Sequence, residues 1–156
     1  MKFTLGQVKE ILPISQDTYR HWKTILPPLA ARNGHTRCFM PGDLLALAVV
    51  RTLTEDVGIR VGNLQSTAIA IFDECNRNSW AGAERLALVV EPLRSRAATV
   101  SESQPPAMET TAIVLPLRPI VSHLRARLAL GYEGPQQEPL RFPPTAVSAG
   151  RRRGDP

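Results

Sequence analysis

Apolar residues recur at helical spacing through the first part of the chain and give way to short continuous runs further on. Leu5, Val8, Ile11 and Leu12 share one face of a helix that Thr4 can cap and Pro13 ends. Ser15 is a good N-cap for a second helix over 16–25, with Asp17 favourable in its first turn. Tyr19, Trp22 and Ile25 face inward there, leaving Thr18, Arg20, His21 and Lys23 outside or on the flank. Pro27-Pro28 argues against continuation of that helix. Residues 29–40 read as a short hairpin, because Asn33-Gly34 supplies the positive φ angles of a type I′ turn. Leu44, Leu45, Leu47, Ala48, Val49, Val50 and Leu53 predict a core helix over about 42–57, with Arg51 outward and Gly58 closing it. Val61, Leu64, Ala68, Ile71, Phe72 and Cys75 predict an amphipathic helix over about 61–77.

The pattern then shortens. Residues 86–90, 97–100 and 110–115 are candidate strands, and a Ser/Gln/Pro loop over 101–109 lies between the last two. Ile120, Val121, Leu124, Leu128 and Ala129 predict a helix over about 118–130, with Arg118, Arg125 and Arg127 outside. The class is α+β. Residues 61–130 form a helix plus a small α+β unit suited to dimerisation or an accessory role. From Gly131 the chain is rich in Gly, Pro and Gln and ends in Arg151-Arg152-Arg153. Residues 131–156 lack the apolar density to offset the entropy of ordering and are expected to be disordered.

Charge adds a direction. The formal net charge is +5 and the pI about 9.9, which favours an anionic partner. Residues 1–60 carry 8 Lys/Arg against 5 Asp/Glu, while 61–130 carry 7 against 6. The excess sits toward the N-terminal end, with two of the three His. Arg outnumbers Lys 16 to 3, which a GC-rich genome explains; selection for phosphate and guanine contacts can add to it. Cys38 and Cys75 form no metal-ligand spacing and read as structural thiols. No apolar h-region suggests a signal peptide, and no run approaches a membrane span. The expected setting is the bacterial cytoplasm. The chain has no P-loop, no G-x-S-x-G and no H-E-x-x-H, so no enzyme, cofactor or metal is expected.

One ordered set of motifs remains. Thr18-Tyr19-Arg20-His21-Trp22 is followed by Ile25-Leu26-Pro27-Pro28, then by Asn33-Gly34-His35-Thr36-Arg37-Cys38-Phe39, then by Asp43-Leu44. This set resembles the MerR family of bacterial winged-helix regulators over about 60 residues. The resemblance implies a winged helix-turn-helix DNA-binding domain over 1–60, with helix 16–25 in the major groove and 29–40 as its wing. It implies Gln16, Thr18, Arg20, His21 and Lys23 as contacts of the reading helix, and Arg32, His35 and Arg37 as contacts of the wing. Tyr19 departs from the family's aliphatic position. The family's long coiled-coil helix and its metal-sensing cysteines are not evident, so no effector is implied.

The function expected is a sequence-specific double-stranded DNA-binding transcriptional regulator, a homodimer on an inverted repeat, with no membrane partner. An architectural, excisionase-like DNA-bending protein and a winged-helix protein-interaction module are the alternatives. Bland readings stand beside this one: Arg20, Lys23 and Arg37 as ordinary solvated charges, Tyr19 and Trp22 as core, and Asp43 as a helix-end or surface charge.

Overall fold

The computed structural model describes residues 1–32, 39–104 and 107–131. It is an α+β protein: helices pack around a three-stranded antiparallel sheet. Helix α1 (Leu5–Ile11) is capped by Thr4, whose Oγ1 accepts the Gln7 N–H while Gln7 Oε1 accepts the Thr4 N–H. Helix α2 (Gln16–Ile25) follows after four residues. It buries Tyr19 and Trp22, as the periodicity predicts, and ends before the Pro pair.

The Pro pair does more than stop α2. Residues Pro27–Ala30 form a one-turn helix, α3, with proline in its first positions, where the missing N–H costs nothing. A hairpin over 29–40 was expected; residues 29–32 are instead helix and turn, and the Asn33-Gly34 turn lies outside the described residues. Phe39 is described, and it pairs with Phe3 through two backbone hydrogen bonds of 2.8 and 3.2 Å.

Helix α4 (Pro41–Arg51) is the centre of the molecule. Every residue from Gly42 to Val50 is buried, so this helix has no solvent face until Arg51. Its Leu44, Leu45 and Leu47 are fully buried, each stabilising the fold by about 2 kcal/mol. Gly42 is required by packing. A Cβ there would lie 2.6 Å from the Cα of Asn76 on the next long helix, so only hydrogen fits. After Arg51 the helix widens into a single π turn, Thr52–Asp56, closed by the Val57 N–H on the Thr52 carbonyl at 3.1 Å. Gly58, at φ +82°, stops it.

The amphipathic stretch expected over 61–77 divides in two. Val61–Leu64 is a 3₁₀ turn, and the helix proper, α5, spans Ala68–Arg77. Val61 and Leu64 are both buried, and three-residue spacing fits a 3₁₀ turn as well as an α-helix. Helix α6 (Trp80–Ala83) is capped by Ser79.

The strands are β1 (Leu86–Glu91), β2 (Arg96–Ser101) and β3 (Ile113–Pro116), in the order β2-β1-β3. Leu88 stands between Thr99 and Leu115, which fixes the register. Glu74 of α5 covers the outer edge of β2: its Oε2 accepts the Thr99 N–H at 3.1 Å and the Thr99 hydroxyl at 3.0 Å. That removes one exposed donor from an edge strand. Helix α7 (Leu117–Gly131) returns to the first helix, where Arg127 donates to the Glu10 carbonyl at 2.7 Å. One continuous cluster of buried side chains runs from Phe3 to Leu124, and Leu53, Val61 and Leu64 belong to it. No helix among the described residues is long and apolar enough to cross a membrane. Nearly all of the tail expected to be disordered, from residue 132 on, lies outside the described residues.

Candidate nucleic-acid interface

Helix α2 is set by its cap and its buried side. Ser15 Oγ accepts the Thr18 N–H at 3.0 Å and lies 2.8 Å from the Thr18 hydroxyl. Thr18 is thereby drawn to the cap and is half-buried. Tyr19 meets Phe39 edge to face, with ring centroids 6.4 Å apart. Because Phe39 is tied to Phe3, the buried face of α2 rests on a fixed aromatic floor.

That leaves the opposite face to solvent. Gln16, Arg20 and Lys23 fall at i, i+4 and i+7 along one edge of it, and His21 lies on its other flank. Gln16 is braced from the first helix by Lys9, whose Nζ donates to its Oε1 at 2.6 Å. Arg20 approaches Asp17 only at 4.0 Å, with both side chains largely in water, a pair worth little. His21 and Lys23 have no carboxylate partner among the described residues.

The contrast with the rest of the molecule is sharp. Arg51 lies 2.8 Å from Glu55, Arg77 2.5 Å from Glu74, Arg94 3.1 Å from Glu109, Arg118 3.3 Å from Glu102 and Arg125 3.1 Å from Glu84. Most arginines of the later elements are matched by nearby glutamates, whereas Arg20 meets only the long contact with Asp17, and His21 and the half-buried Lys23 meet no carboxylate among the described residues.

Arg32 needs correction as a wing contact. Its two terminal nitrogens grip Asp43 bidentately, both at 2.8 Å, and its Nε donates to the Pro28 carbonyl at 3.1 Å. Its guanidinium also lies 5.1 Å from the centre of the Phe39 ring. Its charge is turned inward rather than presented to a groove. Asp43 stands at a helix end, one of its two expected readings, but not at the surface. It is a buried acceptor, 2% exposed, that also takes the Met40 N–H at 2.7 Å and Asn76 Nδ2 at 3.0 Å. The carboxylate joins Arg32, Met40 and α5, and so fixes both ends of the intervening segment. His35 and Arg37, within that segment, lie outside the described residues.

One cation was passed over in the sequence. Arg60 is exposed, has no carboxylate partner among the described residues, and directly precedes the 3₁₀ turn Val61–Leu64 that packs against α2. Nothing in the hydrophobic periodicity marks it. Among the described residues no three of His, Cys, Asp and Glu gather as metal ligands would. Compared with known proteins, the chain matches no family model, no curated protein and no solved structure.

Proposed function

We propose that this protein is a sequence-specific, double-stranded DNA-binding transcriptional regulator of the bacterial cytoplasm, built on a MerR-like winged helix-turn-helix and acting as a homodimer on an inverted repeat. The observation that carries the reading is the exposed face of α2. It presents Gln16, Arg20 and His21 beside the exposed Asp17, with Lys23 half-buried at its edge, on a short helix whose other side is locked into the core, while arginines elsewhere are largely matched by glutamates. A helix of this width fits the major groove, where Arg reads guanine and Gln reads adenine. The four-residue connection between α1 and α2 suits a helix-turn-helix. The Phe3–Phe39 bridge, next to the residues read as a wing, supports the same reading.

In this reading Arg20 and Gln16 reach base edges, and Lys23, His21 and Arg60 hold phosphates. Arg32 and Asp43 make no DNA contact in this reading, because they bind each other, while His35 and Arg37 keep the wing role that the resemblance implies. A single helix buries too little surface for tight specific binding, and two-fold pairing of half-sites supplies the rest. Selection of bound duplexes from a randomised library by the full chain tests this. The expected result is enrichment of one inverted repeat with its half-sites a helical turn apart. A pool that stays random through repeated selection overturns the reading.

A further inference from the structure

A cavity of about 370 Å³ opens between the connection after α1, α4, the π turn and α7. That volume lies within the range of small-molecule sites, and the cavity is open to solvent on its polar side, where Glu55, Asp56 and His123 are exposed. Its apolar floor is Leu12, Ala48 and Ile120, contributed by three separate parts of the chain. Its polar lining is Arg51, Glu55, Asp56 and His123.

Two observations give the cavity a chemical preference. The first is the π turn itself. The extra residue widens the helix just where Glu55 and Asp56 lie, and such single π turns are frequent at functional sites. The second is charge. Arg51 Nε is engaged by Glu55 Oε2 at 2.8 Å, so those two charges satisfy each other. Asp56 has no hydrogen-bond or ion-pair partner among the described residues, and with His counted as neutral it leaves the lining one negative charge in excess. An apolar floor beneath an unmatched carboxylate suits an ammonium group on a short hydrocarbon body.

We propose that this cavity is a binding site for a small organic cation, an amine carrying a compact apolar group. The apolar group lies on Leu12, Ala48 and Ile120, and the ammonium donates to Asp56, with Glu55 beside it. The site joins the first helix and α4 to α7, so occupancy ties the two parts of the chain together. The inference does not depend on DNA binding.

Titration calorimetry of the full chain with three near-isosteric probes tests it: phenethylamine, 2-phenylethanol and 3-phenylpropionate. Phenethylamine is expected to bind saturably and more tightly than the neutral and anionic probes. Its amide chemical-shift changes are expected at Thr52, Glu55, Asp56 and His123. Asp56→Asn is expected to weaken it about 10-fold, the loss of one charge-assisted hydrogen bond, and Asp56→Glu to retain most of the affinity. Asp73→Asn makes the same charge change on the exposed face of α5 and is expected to leave binding unchanged. Absence of saturable phenethylamine binding, equal affinity for all three probes, or equal losses in Asp56→Asn and Asp73→Asn would each overturn the assignment.

Discussion

Asp43 collects four donated hydrogen bonds in a site that is 2% exposed, two of them from Arg32. Removing one member of such a pair strands the other charge away from water, which costs more than the pair itself contributes. Asp43→Ala is therefore expected to lower unfolding stability by about 3 kcal/mol in urea titration. A loss no larger than that of an exposed surface substitution would mean that the Arg32 charge finds water without its partner.

Thr67 tests the opposite case. Its hydroxyl is buried with no hydrogen-bond partner among the described residues, so it bears a desolvation cost with no return. Thr67→Val, of nearly the same shape, is expected to raise stability by about 1 kcal/mol in the same titration.

Cys75 gives a prediction in pH. Burial first, and the nearby Glu74 and Asp43 carboxylates second, push its thiol from 9.0 up to about 12. The folded chain keeps a proton that the unfolded chain releases above pH 9, so the stabilisation is complete below pH 9 and declines as pH rises toward 12. The stability advantage of the native chain over Cys75→Ala is expected to shrink across that window. In a Cys38→Ser background, alkylation of Cys75 at neutral pH is expected to proceed only at the rate of unfolding.

At the level of elements, α2 depends on its cap. Ser15→Ala removes the acceptor for the Thr18 N–H and is expected to cost about 1 kcal/mol in thermal or urea unfolding. Asp17→Asn leaves the cap intact and is expected to cost less. The helices and strands were largely legible in the sequence. The Tyr19 and Trp22 stripe and the face of α7 repeat at the helical period, while the continuous apolar runs of α4 and β1 mark elements buried on all sides. What was not legible has physical causes. Val61 and Leu64 satisfy α and 3₁₀ spacing alike, so the break before α5 left no signal. Pro27-Pro28 was read for what it prevents, although proline also starts helices well. Asp43 looked like a surface charge because its partners are Arg32, eleven residues away, and Asn76, thirty-three away. Such contacts exist only in the fold. The α2 face was readable by periodicity, but the inward turn of Arg32 was not, since a cation on the base of a loop and a cation in a buried pair look the same in one sequence. Arg60 lies in a connection between elements, where periodicity carries no signal, and only the fold shows that the turn after it packs against α2.

For the molecule as a whole, the proposal is that the weakly paired basic side chains of α2 read DNA, while most arginines elsewhere are matched by glutamates. A homodimer is part of that claim, and light scattering is expected to give twice the 17.1 kDa chain mass. The most direct test is the affinity of the full chain for its selected duplex, measured by fluorescence anisotropy over a series of salt concentrations. The account predicts affinity that falls steeply as salt rises. Lys23→Ala should flatten that slope by about one unit per subunit and weaken all sequences alike. Arg20→Ala should instead relax preference at one base position of each half-site, at a cost of about 1–3 kcal/mol. Binding that ignores salt, or Lys23→Ala and Arg20→Ala proteins that bind as the native chain does, would contradict it.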